Sequence, residues 1–267
     1  MSCNTSCYSY KLLSENDNPV LKNVDITIIL MMEKSKRFKK DPFLMKLSKK
    51  TIIQYNKGFK KCIKPNSIKK SNEDINHAYY TALEYTKDYN NVLILEEDAE
   101  VLYYNMKHYD IVDNYIGNNL FKIFSFATNG FFTKINENFY SVDVAHGAHA
   151  QIISRDCRSY IMSNILSNNF RGEIDTNYFR NNVIVYKYPL IVQTFPETEN
   201  FKNWKGSYFL NKLGIIITGV DKNKSGWETI YHINKISCNI NNLLSYKGLV
   251  CTTLLIVILF FAKNNQY

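Results

Sequence analysis

Continuous apolar runs and amphipathic segments alternate along the first part of the chain. Residues 24–32 predict a first buried strand and residues 51–55 a short second strand. Residues 92–95 are all apolar, which predicts a strand covered on both faces. Between the last two runs, apolar residues recur at helical spacing over residues 73–89. This alternation continues to about residue 165. It favours an α/β fold with a mainly parallel sheet flanked by helices.

Further elements are predicted around this framework. A helix is expected to begin at Asp41-Pro42, because Asp is a good N-cap and Pro suits the first helical position. Ser71-Asn72-Glu73-Asp74 resembles a capping box before the helix at 73–89. The later pattern predicts, in order, a helix over 102–115, a strand over 121–126, a hairpin over 131–143, a strand over 148–153, a helix over 154–168, a helix from 173 and a strand over 183–192 broken by Pro189.

The two ends of the chain differ from this central region, residues 23–200. Residues 1–22 are polar and are interpreted as a flexible leader without a secretory signal. Residues 201–242 are irregular and polar, which indicates a tether. An uncharged run of 15 residues, 248–262, is flanked by lysines that could snorkel. With its upstream apolar neighbours it approaches the length of a spanning helix, so residues 243–263 are predicted as a transmembrane tail anchor. A buried element of the domain is the alternative.

Three acidic residues, Glu96, Glu97 and Asp98, follow directly after the strand at residues 92–95. On an extended chain Glu96 and Asp98 point the same way, so one cation could meet both carboxylates. The carboxyl edge of an α/β sheet is where ligands bind, and buried carboxylates are costly unless a cation or hydrogen-bond donors satisfy them. Because oxygen ligands suit Mg²⁺ or Mn²⁺, the sequence predicts a divalent-metal site here. A solvated acidic turn is the alternative.

Other residues carry candidate chemistry, each with a structural alternative. Lys34 and Arg37 follow the first strand and suit nucleotide phosphates, although ordinary surface cations are equally compatible. His146 and His149 could bind a metal or carry a proton, or could be hydrogen-bonded structural residues. Asp175, in Glu-Ile-Asp at a predicted helix start, could act as a general base or complement the helix dipole.

Composition narrows the functional classes. The net charge of +9 comes from 28 Lys and 5 Arg against 24 acidic residues. Arg is the usual residue for phosphate and base recognition, so a nucleic-acid-binding protein ranks last among the hypotheses. The six cysteines include no CxxC pair. Free thiols in a reducing compartment are the simpler interpretation, which together with a tail anchor places the domain in the cytosol.

Four stretches, in order, carry a resemblance to a known family: Asn76-His77-Ala78, the Leu-Ile-Leu-Glu-Glu-Asp-Ala of 93–99, the Gly-Ala-His-Ala-Gln-Ile-Ile-Ser of 147–154, and Glu173-Ile174-Asp175. Their order resembles that of the family-25 glycosyltransferases, the lipopolysaccharide and collagen-type sugar transferases, and especially their divergent members in large DNA viruses. The chain departs from the family pattern where Asn76 replaces Ser, Glu97 replaces Asp, Ala148 replaces Thr and Glu173 replaces Pro.

The resemblance implies a GT-A-like nucleotide-sugar fold and a membrane-anchored glycosyltransferase. Such an enzyme moves a sugar from a nucleotide-sugar donor to a hydroxyl of a glycan or protein acceptor, with Mn²⁺ or Mg²⁺ as cofactor. The expected roles are metal ligation by Asp98 and Glu96, catalysis by Asp175 and His149, and donor binding by Lys34, Arg37, His77 and Glu97. An inactive GT-A-like interaction module tethered to a membrane is the alternative.

Overall fold

The computed structural model describes residues 7–65, 67–128, 132–142, 147–178 and 183–193. The strands are β1 (Tyr8–Glu15), β2 (Ile26–Met32), β3 (Lys50–Asn56), β4 (Asn91–Glu96), β5 (Ala99–Val101), β6 (Ile123–Ser125), β7 (Phe132–Lys134), β8 (Phe139–Val142), β9 (Ala150–Ser154), β10 (Val183–Tyr186) and β11 (Ile191–Gln193). The α-helices are α1 (Ser71–Tyr85), α2 (Met106–Asn118) and α3 (Arg155–Ser167).

The predicted tether and tail anchor lie outside the described residues. Among the residues that the structure does describe, no helix is both long enough and apolar enough to cross a membrane.

Nine strands form one mixed sheet in the order β1-β3-β2-β4-β9-β6-β10-β8-β7. β2 runs parallel to both β3 and β4, and β6 runs parallel to β10. β9 lies antiparallel between β4 and β6. Within the described residues, six of these strands point one way, while β1, β8 and β9 point the other. β5 and β11 form a second, two-stranded sheet. The predicted α/β class is confirmed. The sheet, which the sequence predicts to be mainly parallel, is mixed.

The two faces of β4 belong to different hydrophobic cores. Val92 and Ile94 lie in the core that includes side chains of α1 and α3. Leu93 and Leu95 lie in the core that includes side chains of α2. The sheet is therefore covered on both faces, as the uninterrupted apolar run predicts. Because side chains alternate along a strand, Glu96 belongs to the α1 side of the sheet.

Three predicted elements differ from the structure. Residues 8–15 of the predicted leader form β1, an edge strand antiparallel to β3. Its side chains are largely polar because most of them are exposed or half-buried. The helix predicted at Asp41 is only a 3₁₀ turn, Leu44–Lys46, since β3 begins four residues later and leaves no room for a longer helix. The helix predicted from residue 173 is a single π-helical turn, Ile174–Tyr178.

A disulfide joins Cys7 and Cys62, whose Cα atoms are 5.5 Å apart. It ties the residue before β1 to the loop after β3. The prediction of free thiols is therefore wrong for this pair, while Cys157 is a buried free thiol. Spacing in the sequence does not reveal the pair, because 55 residues separate its members.

Candidate functional site

The acidic motif, the residues before β9 and Asp175 meet at one edge of the main sheet. The parallel strands β2, β3 and β4 all end at this edge. The Glu96 amide donates to the His149 carbonyl at 2.9 Å, which places the start of antiparallel β9 beside the motif. The carboxylate of Asp175 accepts the Gly147 amide at 2.8 Å. The structure thus brings together carboxylates that lie about 80 positions apart in the sequence.

Glu96 lies against α1 at the centre of this group. The Tyr79 hydroxyl is 3.2 Å from Glu96 Oε1 and donates to the Ala148 carbonyl at 2.6 Å. Burial, followed by the repulsion of the neighbouring Asp98 carboxylate, raises the pKa of Glu96 to about 8. Asp175 acts on Glu96 in the same direction, whereas Tyr79 and Arg37 oppose the shift. Glu96, Asp98 and Asp175 therefore form one electrostatic cluster that favours an added positive charge.

Replacing Glu96 by Gln is expected to stabilise the metal-free protein above about pH 8. The folded state keeps a proton on Glu96 that the unfolded chain loses near pH 4.5. The contribution of Glu96 to the free energy of unfolding is fully present below pH 4.5 and falls as the pH rises towards 8. In Glu96→Gln this loss disappears, so the melting temperature at pH 9 should rise by roughly 2–4 °C for each kcal/mol recovered.

Thermal melts of both proteins between pH 5 and about pH 9 measure this difference. Glu84→Gln, a partly exposed position on α1, is the matched control for the removal of one carboxylate. A Glu96→Gln variant with the same stability profile as the unsubstituted chain contradicts the raised pKa.

The Glu97 side chain holds the loop that follows β2. Its carboxylate pairs with the Arg37 guanidinium and accepts the Met32 amide at 3.2 Å. Glu97 is buried, whereas the Arg37 side chain is 31% exposed. Lys34, in the same loop, is exposed. Of the four residues expected to bind the donor, Lys34, Arg37 and Glu97 thus lie at or beside the carboxyl edge of β2.

Two of the histidines singled out in the sequence, His149 and His77, are fully or almost fully buried. His149 Nε2 donates to the Ile191 carbonyl at 3.2 Å, and burial lowers the pKa of His149 to about 4. His77 Nδ1 lies 2.6 Å from the Tyr8 hydroxyl, and burial followed by the charge of Lys64 lowers the pKa of His77 to about 4. Both rings are neutral at physiological pH. The structure places His149 in the core beside β11 and His77 in a separate buried network.

Asn76 fixes the loop that leads to Asp175. Its amide nitrogen donates to the carbonyls of Phe170 and Gly172 at 2.7 and 2.8 Å. Phe170 adopts a positive φ of 62°, which is unfavourable for an aromatic residue. Because Asn76 is fully buried on α1, these two hydrogen bonds attach an unfavourable backbone conformation to a rigid helix. Asn76 is thus a positioning residue for Asp175.

Replacing Asn76 by Ala is expected to destabilise the fold by about 1–3 kcal/mol, because two carbonyls lose their donor. The melting temperature should fall, and proteolysis of the loop at residues 168–173 should become faster. Asn114→Ala, an exposed position on α2, provides the matched control. Equal stability of the two variants contradicts the positioning role.

The acidic cluster offers two neighbouring carboxylates to a divalent ion, Glu96 and Asp98. Among the described residues, no group of three or more His, Cys, Asp or Glu side chains could hold a metal ion. Mg²⁺ is often bound by one or two carboxylates, with water and substrate phosphates completing its coordination. Glu96 and Asp98 fit that smaller requirement, since their mutual repulsion is relieved by a cation. His146, the remaining candidate ligand, lies outside the described residues.

Sequence reasoning missed two contributors to this cluster. Tyr79 occurs in the amphipathic pattern of α1 only as an apolar position, and its hydroxyl is directed at Glu96 by the packing of the helix on the sheet. In the sequence, Asn76 stands out only as a departure from a family motif. A buried Asn on the apolar face of a helix is a signal for a backbone contact, because its amide must find acceptors.

Comparisons with known proteins add little to this geometry. No protein-family profile matches the chain, and no curated protein matches it either. A crystal structure of A197 from STIV is similar over 66% of this chain and 96% of that chain, with 12% identical residues and a TM-score of 0.39. A likeness of this degree leaves the function to be argued from the site.

Proposed function

We propose that the protein is a metal-dependent glycosyltransferase that moves a sugar from a nucleotide-sugar donor to an acceptor hydroxyl. The observation that supports it most is the gathering of Glu96, Asp98 and Asp175 at the carboxyl edge of the sheet, with the pKa of Glu96 raised to about 8. A metal ion together with a diphosphate suits such a cluster. The resemblance to family-25 glycosyltransferases rests on the same residues. We therefore also propose that the α/β domain has a GT-A-like fold.

Each side of the site has a proposed task. Asp98 and Glu96 would hold Mn²⁺ or Mg²⁺, which when bound offsets charge that develops on a departing diphosphate. Asp175 takes the proton of the acceptor hydroxyl. It is held in place by the Gly147 amide and by the loop that Asn76 binds. The Tyr79 hydroxyl positions the Glu96 carboxyl from α1. His149 is proposed as an active-site residue without a defined role.

The donor side lies in the loop after β2. The pairing of Arg37 with Glu97 keeps this loop next to the acidic motif, and Lys34 offers an exposed ammonium group. Cations and backbone amides at a strand end suit the phosphates of a nucleotide. In this arrangement Glu97 organises the donor loop instead of contacting the donor.

Calorimetry and a hydrolysis screen with a panel of nucleotide sugars test the proposal. We expect at least one donor to bind and to be hydrolysed only when Mn²⁺ or Mg²⁺ is present. Addition of excess chelator should abolish both signals. If no donor binds in the presence of either metal ion, the proposal is wrong and the alternative of a non-enzymatic module is favoured.

Membrane attachment through residues 243–263 belongs to the same proposal. Deleting residues 243–267 is expected to move the protein from the membrane pellet to the supernatant of a high-salt wash, because an apolar run of this length supplies the anchor. Sedimentation of both proteins from expressing cells measures the change. A truncated protein that still pellets with membranes after washing at high salt contradicts the anchor.

A further inference from the structure

The excess positive charge of the chain is concentrated in two loops. Residues 33–40 and 57–70 contain eleven basic residues against one acidic residue. The net charge of the whole chain is +9, so the remainder of the chain is close to neutral. We call these two loops together the basic rim. An even scatter of surface lysines does not explain this distribution.

The basic rim lies at the same edge of the sheet as the acidic cluster. Its two loops follow β2 and β3, which are parallel neighbours. The Glu33 amide donates to the Asn56 carbonyl at 2.9 Å, so the loops begin side by side. The lysines exposed on the rim include Lys34, Lys36, Lys40, Lys60, Lys61 and Lys69.

One large apolar side chain projects from the basic rim. Ile63 is 85% exposed. The residues on either side of it are fixed, because Cys62 is bonded to Cys7 and the Lys64 side chain is buried in a salt bridge with Asp74. The fold therefore holds Ile63 in water between two anchors, although exposing it contributes nothing to the stability of the domain.

We propose that the basic rim docks on an anionic lipid bilayer, with Ile63 inserted below the headgroups. Juxtaposed lysines are attracted to acidic lipids, and an apolar side chain adds affinity by leaving water. A polynucleotide would satisfy the lysines but would leave Ile63 exposed, and ten of the eleven basic residues are lysines, which carry little base-specific recognition. This inference rests on the proposed function. Docking brings the candidate site to the bilayer, so the acceptor is a hydroxyl group on a membrane-attached molecule.

The test uses the full chain with Ile63→Trp, added to vesicles with brominated acyl chains. The spectrum of the unsubstituted chain, which has two tryptophans, is subtracted. With phosphatidylserine in the vesicles, we expect a blue shift and quenching of the new tryptophan. Pure phosphatidylcholine should give neither. Adding Lys60→Glu and Lys61→Glu should reduce the quenching at least about tenfold, whereas Lys46→Glu with Lys87→Glu, at the opposite edge, should leave it unchanged.

Three outcomes overturn the inference. The first is an unchanged, unquenched tryptophan on phosphatidylserine vesicles. The second is quenching that the reversals at Lys60 and Lys61 leave intact. The third is a spectral change that a single-stranded polynucleotide produces and vesicles do not. The measurement needs neither donor nor metal, so its failure is separate from a failure of the proposed function. A chain carrying Asp98→Asn should dock as well as the parent.

Discussion

Replacing Asp98 by Asn is expected to lower metal-dependent donor hydrolysis by at least about 100-fold while the protein remains folded. Asp98 is buried and its charge acts on Glu96. Asn preserves the size of the side chain and removes its charge. A bound metal ion stabilises the transition state by several kcal/mol, and each 1.4 kcal/mol is about tenfold in rate. Losing one of the two anionic ligands should therefore remove most of the activity.

Initial rates with saturating Mn²⁺, together with a thermal melt of each protein, measure this effect. Asp110→Asn, an exposed position on α2, is the matched control and should keep full activity. A melting temperature equal to or above that of the parent shows that the loss is chemical, because neutralising Asp98 also relieves its repulsion of Glu96. Full activity in Asp98→Asn would reject the metal assignment.

Replacing Lys64 by Met is expected to destabilise the protein by about 3–5 kcal/mol. Its side chain is only 1% exposed and pairs with Asp74, which is also buried. The ammonium group donates to Asn56 at 2.7 Å and to Tyr8 at 2.9 Å as well, so all three of its donors are used. Without Lys64, the Asp74 carboxylate remains buried with Asn56 as its remaining donor among the described contacts.

Urea titrations of Lys64→Met, Asp74→Asn and the double variant separate the charge from the packing. The double variant should be more stable than the sum of the two single effects predicts, because it buries no uncompensated charge. Lys61→Met, an exposed position in the same loop, should change stability by less than about 0.5 kcal/mol. Strictly additive effects would show that the ion pair does not couple the loop to α1.

The sequence was sufficient for β4 and for the edge where the carboxylates lie. Both follow from local signals, a continuous apolar run and the acidic residues directly after it. The hairpin of β7 and β8 and the helix α3 follow from equally local patterns. These elements depend little on distant parts of the chain, which is why periodicity and capping residues were enough to predict them.

The features that were missed depend on contacts between distant residues. The burial of His149 depends on a carbonyl 42 positions later, at Ile191. β1 is recognisable only by its pairing with β3, because an edge strand need not be apolar. The antiparallel course of β9 likewise depends on its neighbours β4 and β6, and not on its own composition.

The Cys7–Cys62 bond also makes a covalent ring that contains β1, β2 and β3. A protease that cuts after Lys36 or Arg37 opens this ring without dividing the molecule. The two pieces stay joined through sulfur and separate only when a reductant is added. Backbone cleavage beside the donor loop is therefore invisible in a gel run without thiols, and the edge strand stays tethered to the rest of the domain.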